Sequence, residues 1–227
     1  MRRLGTVVLL AAVLAGCGVY SVRRTPSLPP VPARAEAPLD LAVALGDVRS
    51  TANGRPEPVD PATLAAIDAD FVRAATASGL FREVRPHGSA ADVHVDTVRE
   101  LHALPLTPGR AAYLTLAGPL VFLAPGFPHP WDYRITRTVR LRGDVGGASI
   151  PLPEREVAYD ERVWGANYWG GLAADPRRHA EGEEIVHALH ELVDDSGPLL
   201  RRFEAAAREG DVEDAWLVGV QAGQRTE

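Results

Sequence analysis

The spacing of apolar residues in the first half of the chain predicts a strand followed by a helix. Leu39–Val48 is rich in small and β-branched apolar residues and predicts a buried strand. The segment Thr51–Pro58 that follows is predicted as a loop because it is made of turn-forming residues. A helix is predicted over Pro61–Ser78, where apolar residues recur every three or four positions. Asp60 supplies its N-cap and Gly79 its stop signal.

Four further segments have the pattern of strands. Leu80–Arg85 predicts a short strand, and Ala91–Leu101 predicts a half-buried strand because apolar and polar residues alternate. Trp131–Arg142 and Ile150–Trp164 alternate in the same way around a glycine-rich connection and predict a long antiparallel hairpin. Every second residue of the first hairpin strand is apolar except Arg137. The outer arginines are expected to face Glu154, Glu156 and Asp160 of the second strand.

The remaining part of the chain predicts helices. Apolar spacing indicates one helix over Ala180–Asp194 and a second one that follows Ser196-Gly197-Pro198 and runs to about Glu209. Ala215–Val220 is a short apolar piece. Together the elements predict one α/β (α+β) domain over residues 39–227. It has a mixed, largely antiparallel sheet, one helix after the first strand and two carboxy-terminal helices.

An apolar segment at Ala111–Pro125 interrupts this order and has two interpretations. It is too short and too broken by Gly118-Pro119 to cross a membrane. It predicts two buried strands, or a strand and a bend, packed against the helices. Alternatively it is an exposed apolar flap, with Phe122 and Phe127 as contact residues, that touches the bilayer or docks on a partner.

The amino terminus has the layout of a secretory signal. Two arginines precede the apolar run Leu4–Leu14, and small residues lead into Cys17. The tetrapeptide Leu14-Ala15-Gly16-Cys17 resembles the lipobox of bacterial lipoproteins. That resemblance implies removal of residues 1–16, lipidation of Cys17 and a bilayer as one partner. Gly18 in place of Asp implies sorting to the outer membrane, facing the periplasm, with the inner membrane left open.

A proline-rich stretch, Thr25–Pro38, follows the cysteine. Its five prolines exclude a helix or a central strand and predict an extended tether of roughly 40 Å at about 3.1 Å per residue. Residues 17–38 are therefore predicted to be a lipidated amino terminus and a tether that holds the domain clear of the lipid.

The order of helix, short strand and alternating strand resembles a group of envelope proteins. The residues that carry the resemblance are Ala74–Val84, with the letters SGLF, and Ala91–Val98, which begins with Ala-Asp. They are similar to the amino-terminal domain of TolB and to lipoproteins of the LpoB, YajG and CsgG type. The resemblance implies an α/β fold used in envelope assembly, and it implies no catalytic residue.

Composition and charge narrow the function classes. The chain has 227 residues, a net charge of −6, one cysteine and no lysine, so a disulfide, a Cys-based zinc site and lysine Schiff-base chemistry are excluded. Removal of residues 1–16 leaves a charge of −8, which argues against a nucleic-acid partner. The sequence contains none of the common catalytic motifs. We expect no cofactor, no metal and no enzyme activity.

Three clusters are candidate sites. Trp164, Tyr168 and Trp169 form an aromatic, glycine-flanked segment that packs on the hairpin, or stacks on sugar rings or a protein partner. One helix face and one strand face each combine histidine with carboxylates and could ligate a metal, although a solvated polar face is the preferred interpretation of both. Their residues are Glu183, His187, His190 and Asp194 on the helix, and Asp92, His94 and Asp96 on the strand.

The favoured function is a noncatalytic, membrane-anchored envelope lipoprotein that acts as a binding or assembly module, with an unidentified envelope protein as partner. The alternative is a lipoprotein that binds glycan, peptidoglycan or a small ligand through residues 164–169. A metal-dependent enzyme built on His187 and His190 is the third hypothesis.

Overall fold

A computed structural model describes residues 19–25, 38–123, 128–166 and 181–223. Side chains are described for Thr25 and for residues 38–116, 132–162 and 181–223. The elements of the described part are β1 (Val19–Thr25), β2 (Leu39–Ala52), β3 (Arg55–Glu57), α1 (Pro61–Ser78), β4 (Phe81–Arg85), β5 (Val93–Ala103), α2 (Pro108–Leu123), β6 (Pro128–Val145), β7 (Ala148–Ala166), α3 (Glu181–Glu209) and α4 (Val212–Gly223).

The predicted fold class is confirmed. The strands form a mixed sheet in the order β1-β7-β6-β5-β2-β3, and β4 pairs with β2 outside this path. Strand β2 runs parallel to β4 and β5, whereas β1 runs antiparallel to β7 and β3 runs antiparallel to β2. A helix follows the first strand of the predicted domain, and two helices end the described chain, as expected.

Helix α1 has the predicted bounds, and its ends show why. The Asp60 carboxylate accepts hydrogen bonds from the backbone N–H groups of Ala62 and Thr63, both at 3.0 Å. Pro61 is the first residue of the helix, where a backbone N–H would have no acceptor within the helix, so its missing N–H costs no hydrogen bond. Gly79 ends it in the left-handed conformation at a φ of 62°, which suits glycine because it has no Cβ.

The loop prediction for Thr51–Pro58 is wrong. Thr51 and Ala52 extend β2, and the chain turns back at Asn53 and Gly54 to form β3. Both turn residues have positive φ, at 50° and 76°, which is the conformation of a tight hairpin turn. The Asn-Gly pair is the sequence signal for such a turn.

The long hairpin is confirmed, with its turn at Gly146-Gly147. Its outer arginines pair with the opposite strand as predicted: Arg134 Nε lies 2.8 Å from Asp160, and Arg140 Nε lies 2.7 Å from Glu154. These pairs are exposed, so water screens them and they contribute little to stability.

The predicted break between the carboxy-terminal helices is wrong, although their number is right. Helix α3 continues through Pro198 for 29 residues, and the division falls at Gly210, where φ is 68°. A proline inside a helix removes one donor and frees the carbonyl of Asp194. Both residues are exposed, so water can satisfy that carbonyl. The short apolar piece near residue 215 belongs to α4.

The amino-terminal prediction also changes. Val19–Thr25, which the sequence placed in a lipidated terminus and tether, is a strand paired with β7 from Asp160 to Gly165. Without β1, the long strand β7 would present an unpaired edge to solvent. Residues 26–37, the centre of the proline-rich stretch, lie outside the described residues.

The described residues fall into two compact units. Unit 1 contains residues 19–25, 102–123, 128–135 and 159–166, and unit 2 contains residues 38–101, 136–158 and 181–223. The apolar core of unit 2 joins the sheet to α1, α3 and α4, with Leu45, Val95, Phe71, Leu189 and Phe203 fully buried.

Helices α1 and α3 make a close contact within that core. A Cβ added to Gly182 would lie 2.3 Å from the Phe71 backbone nitrogen and 2.4 Å from the Asp70 carbonyl carbon. The Gly182 N–H also donates to the Asp70 carboxylate at 2.9 Å. Glycine is therefore required where α3 begins.

Candidate functional site

Helix α4 exposes a line of large apolar side chains. Trp216, Leu217 and Val220 are 47%, 53% and 50% exposed. They stand at positions i, i+1 and i+4, so they share one face of the helix. We call these three residues the α4 stripe. The opposite face is made of smaller residues that pack into unit 2, and Gly219 lies close to Ile150 and Pro151.

The sequence prediction missed this surface. It identified Ala215–Val220 only as a short apolar piece, because six residues are too few to establish a helical period. The signal was nevertheless present: small residues at 215, 219 and 222 alternate with large ones at helical spacing. Only the packing of the small residues shows that the large ones point outward.

The segment Ala111–Pro125 does not form the predicted buried strands. Residues 111–123 lie in α2, and none of the α2 side chains described, residues 108–116, is buried. Leu116 is 82% exposed, and Leu106, just before the helix, is 56% exposed. An apolar run of this length fits a helix as well as two strands, which is why periodicity did not decide. Among residues 111–116, whose side chains are described, none is buried, which agrees with the interpretation as an apolar flap.

Unit 1 also contains a polar cavity of about 350 Å³. Asp132 is buried on its wall and accepts a bidentate ion pair from Arg162, at 2.6 and 3.1 Å. Arg110 at the start of α2 lies 3.8 Å from the same carboxylate. Hydrogen bonding to Asp132, aided by its charge, raises the pKa of the Arg162 guanidinium. The other lining residues are Thr25, Leu104, Thr107, Asp160 and Glu161.

Four charged side chains form a buried cluster in unit 2. Arg137 Nη2 lies 3.1 Å from Glu184 and 3.6 Å from Glu181, while Arg99 Nη1 lies 3.3 Å from Glu181. All four side chains are at most 4% exposed. Arg137 also donates to the Thr97 hydroxyl at 3.3 Å. This cluster joins β5 and β6 to the first turns of α3, and its opposite charges compensate one another inside the domain.

The solvated polar face predicted for α3 is wrong where it concerns the histidines. His187 and His190 are each only 6% exposed. His187 Nε2 lies 3.3 Å from Glu191, and its Nδ1, like Nε2 of His190, has no hydrogen-bond partner within the described residues. Burial lowers the pKa of His190. The negative charge of Asp194 raises this pKa, and the neighbouring His187 lowers it, so the net shift is downward. Residues 184–190 of α3 are all buried, so this part of the helix is enclosed on every side and its imidazoles are buried together with its apolar side chains.

The strand face of Asp92, His94 and Asp96 is half-buried rather than fully exposed. Its carboxylates have structural partners: Asp92 accepts from the Ala42 N–H at 2.7 Å, and Asp96 pairs with Arg142 at 3.0 Å. Hydrogen bonding to Asp96 raises the pKa of Arg142. These contacts hold the strand against its neighbours.

The predicted anchor and contact residues are outside the part of the chain with described side chains. Cys17, Phe127, Tyr168 and Trp169 lie outside the described residues altogether. Trp164 stands in β7 opposite Ser21, and Phe122 stands in the last turn of α2; the side chains of both are outside the described set. The predicted contacts of these residues stay predictions.

The described residues contain no group of three or more His, Cys, Asp or Glu placed to hold a metal ion. None of their helices combines the length and the apolar character needed to cross a membrane.

Comparisons with known proteins leave the family open. No model of a protein family matches the chain, and no curated protein matches it in sequence. Among solved structures, the chain is similar to the crystal structure of protein XCC0632 from Xanthomonas campestris, described by the family model DUF330. The identity is 14%, the TM-score is 0.26, and the alignment covers 87% of this chain and 91% of the other.

Proposed function

We propose that the protein is a lipid-anchored lipoprotein of the bacterial envelope, without catalytic activity, that binds a second envelope protein through the α4 stripe. The lipobox-like sequence Leu14-Ala15-Gly16-Cys17 supports the anchor and the envelope location. The absence of Asp at position 18 favours the outer membrane, with the domain facing the periplasm.

The exposed α4 stripe is the observation that carries the binding role. About half of each large side chain is accessible to solvent, and the three form one patch on a helix. Trp is one of the residues that dominate binding hot spots, and burying Trp216 with its two aliphatic neighbours would remove apolar surface from water. Isolated exposed apolar residues are ordinary, but a cluster of this kind usually marks a contact surface.

Polar groups border the stripe as they do in protein interfaces. Arg202 of α3 donates to Gln221 at 2.8 Å and lies 3.6 Å from Asp214. An apolar centre with such a charged rim is typical of contacts between soluble protein surfaces. The rim favours a protein partner for this patch over a lipid or a sugar.

Site-specific photocrosslinking in living cells tests the proposal. A benzophenone amino acid replaces Trp216 in the full-length protein, and a matched variant carries it at exposed Glu156 in the same unit. We expect one discrete adduct with a different protein at position 216 and none at position 156. The adduct should disappear when Leu217 and Val220 are changed to serine.

Two results would contradict the proposed binding role. One is an equal, diffuse set of adducts at both positions, which would show random encounters. The other is an adduct with the mass of two copies of this chain, which would assign the stripe to self-association.

A further inference from the structure

The ends of three strands of unit 1, β1, β6 and β7, lie at one edge of the sheet. Val19 begins β1 opposite Gly165, close to the end of β7. On the other side of β7, Asp132 of β6 pairs with Arg162. Because the hairpin is antiparallel, Pro128 lies four residues nearer to the end of β7 than Asp132 does. The start of β1, the start of β6 and the end of β7 therefore share one edge, which we call the Val19 edge.

Helix α2 stays close to this edge. Two contacts hold the start of the helix at Asp132. The N–H of Leu104, which precedes the helix, donates to the Asp132 carbonyl at 2.9 Å, and Arg110 lies 3.8 Å from the Asp132 carboxylate. The helix ends at Leu123, five residues before Pro128. Five residues span at most about 18 Å, so the end of α2 lies within that distance of the Val19 edge.

The proposed lipid anchor is next to the same edge. Cys17 precedes Val19 by two residues, which reach at most about 7 Å. The proline-rich stretch comes after β1, so it cannot separate unit 1 from a lipid on Cys17. If Cys17 is acylated as in the proposed function, the Val19 edge lies at the surface of the bilayer.

We propose that α2 is a membrane-surface helix that contacts the lipid bilayer holding Cys17; this inference rests on the proposed lipid anchor. Leu116 is 82% exposed, and none of the described side chains of α2 is buried. The helix contains no acidic residue, and its one charged residue is Arg110 at the start. Arg110 faces Asp132, so the helix carries no acidic group that a phospholipid surface would repel, and its exposed apolar side chains are the part that would contact lipid.

The size of the helix agrees with a position on the bilayer rather than across it. Sixteen residues extend about 24 Å, which is less than the hydrocarbon thickness of roughly 30 Å. Leu116 would enter the interface, where exposed leucine gains free energy by leaving water. The acyl chains on Cys17 supply the affinity, and α2 orients unit 1 on the surface.

Fluorescence quenching in vesicles tests the inference. Full-length lipidated Leu116→Cys carries an environment-sensitive dye on the new thiol, in vesicles of phosphatidylethanolamine and phosphatidylglycerol. The matched control is Thr25→Cys, which is exposed and stands at the opposite end of β1, about 20 Å along the strand from Val19. Quencher lipids carry a nitroxide at a shallow acyl position. We expect the dye at 116 to shift to the blue and lose more than about half of its emission, with little change at 25.

The outcomes separate this inference from the proposed function. Equal quenching at positions 116 and 25, or no quenching at 116 when mass spectrometry shows lipid on Cys17, overturns the membrane contact and leaves the anchor intact. An unmodified Cys17 overturns both. Thr115→Cys, on the neighbouring exposed position, repeats the measurement if Leu116→Cys does not fold.

Discussion

Arg137 shows how one residue of the alternating hairpin pattern acquires a structural role. The sequence places it among the apolar positions of β6, where an arginine has no evident partner. In the structure its guanidinium meets Glu184 and Glu181 of α3, 47 and 44 residues further along the chain. The exception in the pattern was visible from the sequence, but its partner depended on where α3 packs.

Replacing Arg137 with methionine should destabilise the protein by about 3–5 kcal/mol. Methionine removes one partner and leaves the carboxylates of Glu181 and Glu184 in a buried environment with less compensation. Chemical denaturation, followed by circular dichroism, measures the loss. The matched control is Arg134→Met on the same strand, because the exposed pair of Arg134 with Asp160 contributes little to stability. Equal losses of stability for the two variants would show that the buried cluster contributes no more to stability than the exposed pair does.

His190 should make the stability sensitive to mild acid. Burial lowers its pKa in the folded protein, so the unfolded chain binds a proton more readily. The contribution of neutral His190 is therefore complete above the unfolded pKa, about 6.5, and is lost as the pH falls from there toward the folded pKa.

His190→Asn removes this titration. We expect the wild-type protein to lose more stability than the variant between pH 7.5 and pH 5, as measured by denaturant unfolding at each pH. The carboxylates titrate in both proteins and cancel in the comparison. A variant that loses as much stability as the wild type would contradict the assignment of the effect to His190.

At the scale of elements, α3 contains two glycines in different surroundings, one tightly packed and one in open space. Gly182 packs against the backbone of α1, whereas nothing lies within 4 Å of a Cβ added to Gly197. The same substitution at the two sites therefore separates packing from helix propensity.

Gly182→Ala should destabilise the protein by about 1–3 kcal/mol, because the new methyl group would overlap the backbone of Asp70 and Phe71. Gly197→Ala should change the stability by less than about 1 kcal/mol, since the gain in helix propensity is opposed by the steric effect of Pro198 on the residue before it. Thermal and denaturant unfolding of the two variants measure the two changes. A stabilising Gly182→Ala would mean that α1 and α3 are less closely packed than described.

Helix α2 illustrates the limit of periodicity at this scale. Its apolar residues are nearly continuous, so neither a period of two nor a period of 3.6 stands out, and the buried-strand prediction followed from apolar character alone. The exposed side chains around Leu116 show that apolar character in this segment does not mean burial in the domain.

For the whole molecule, the anchor is the feature to test first. Cys17→Ser should abolish incorporation of labelled palmitate and move the protein from the membrane fraction to the soluble fraction, since serine cannot carry the thioether-linked lipid. Fractionation followed by immunoblotting measures the shift. Unchanged membrane retention would indicate that another segment, with α2 as the first candidate, holds the protein on the membrane by itself.

The sequence alone was sufficient for features that depend on neighbouring residues. The cap at Asp60, the stop at Gly79 and the alternation along β5 to β7 each follow from local geometry, and they determined the α/β class and the hairpin. The signal and lipobox-like pattern are likewise local.

Only the tertiary structure decided which side chains face solvent and which charged groups meet. The inward histidines of α3, the outward α4 stripe and the pairing of Arg137 with Glu184 depend on the packing of distant segments. The strand β1 likewise forms because β7 offers it an edge, which no local pattern around Val19 reveals. Burial and pairing are properties of two surfaces together, and a single sequence segment describes only one of them.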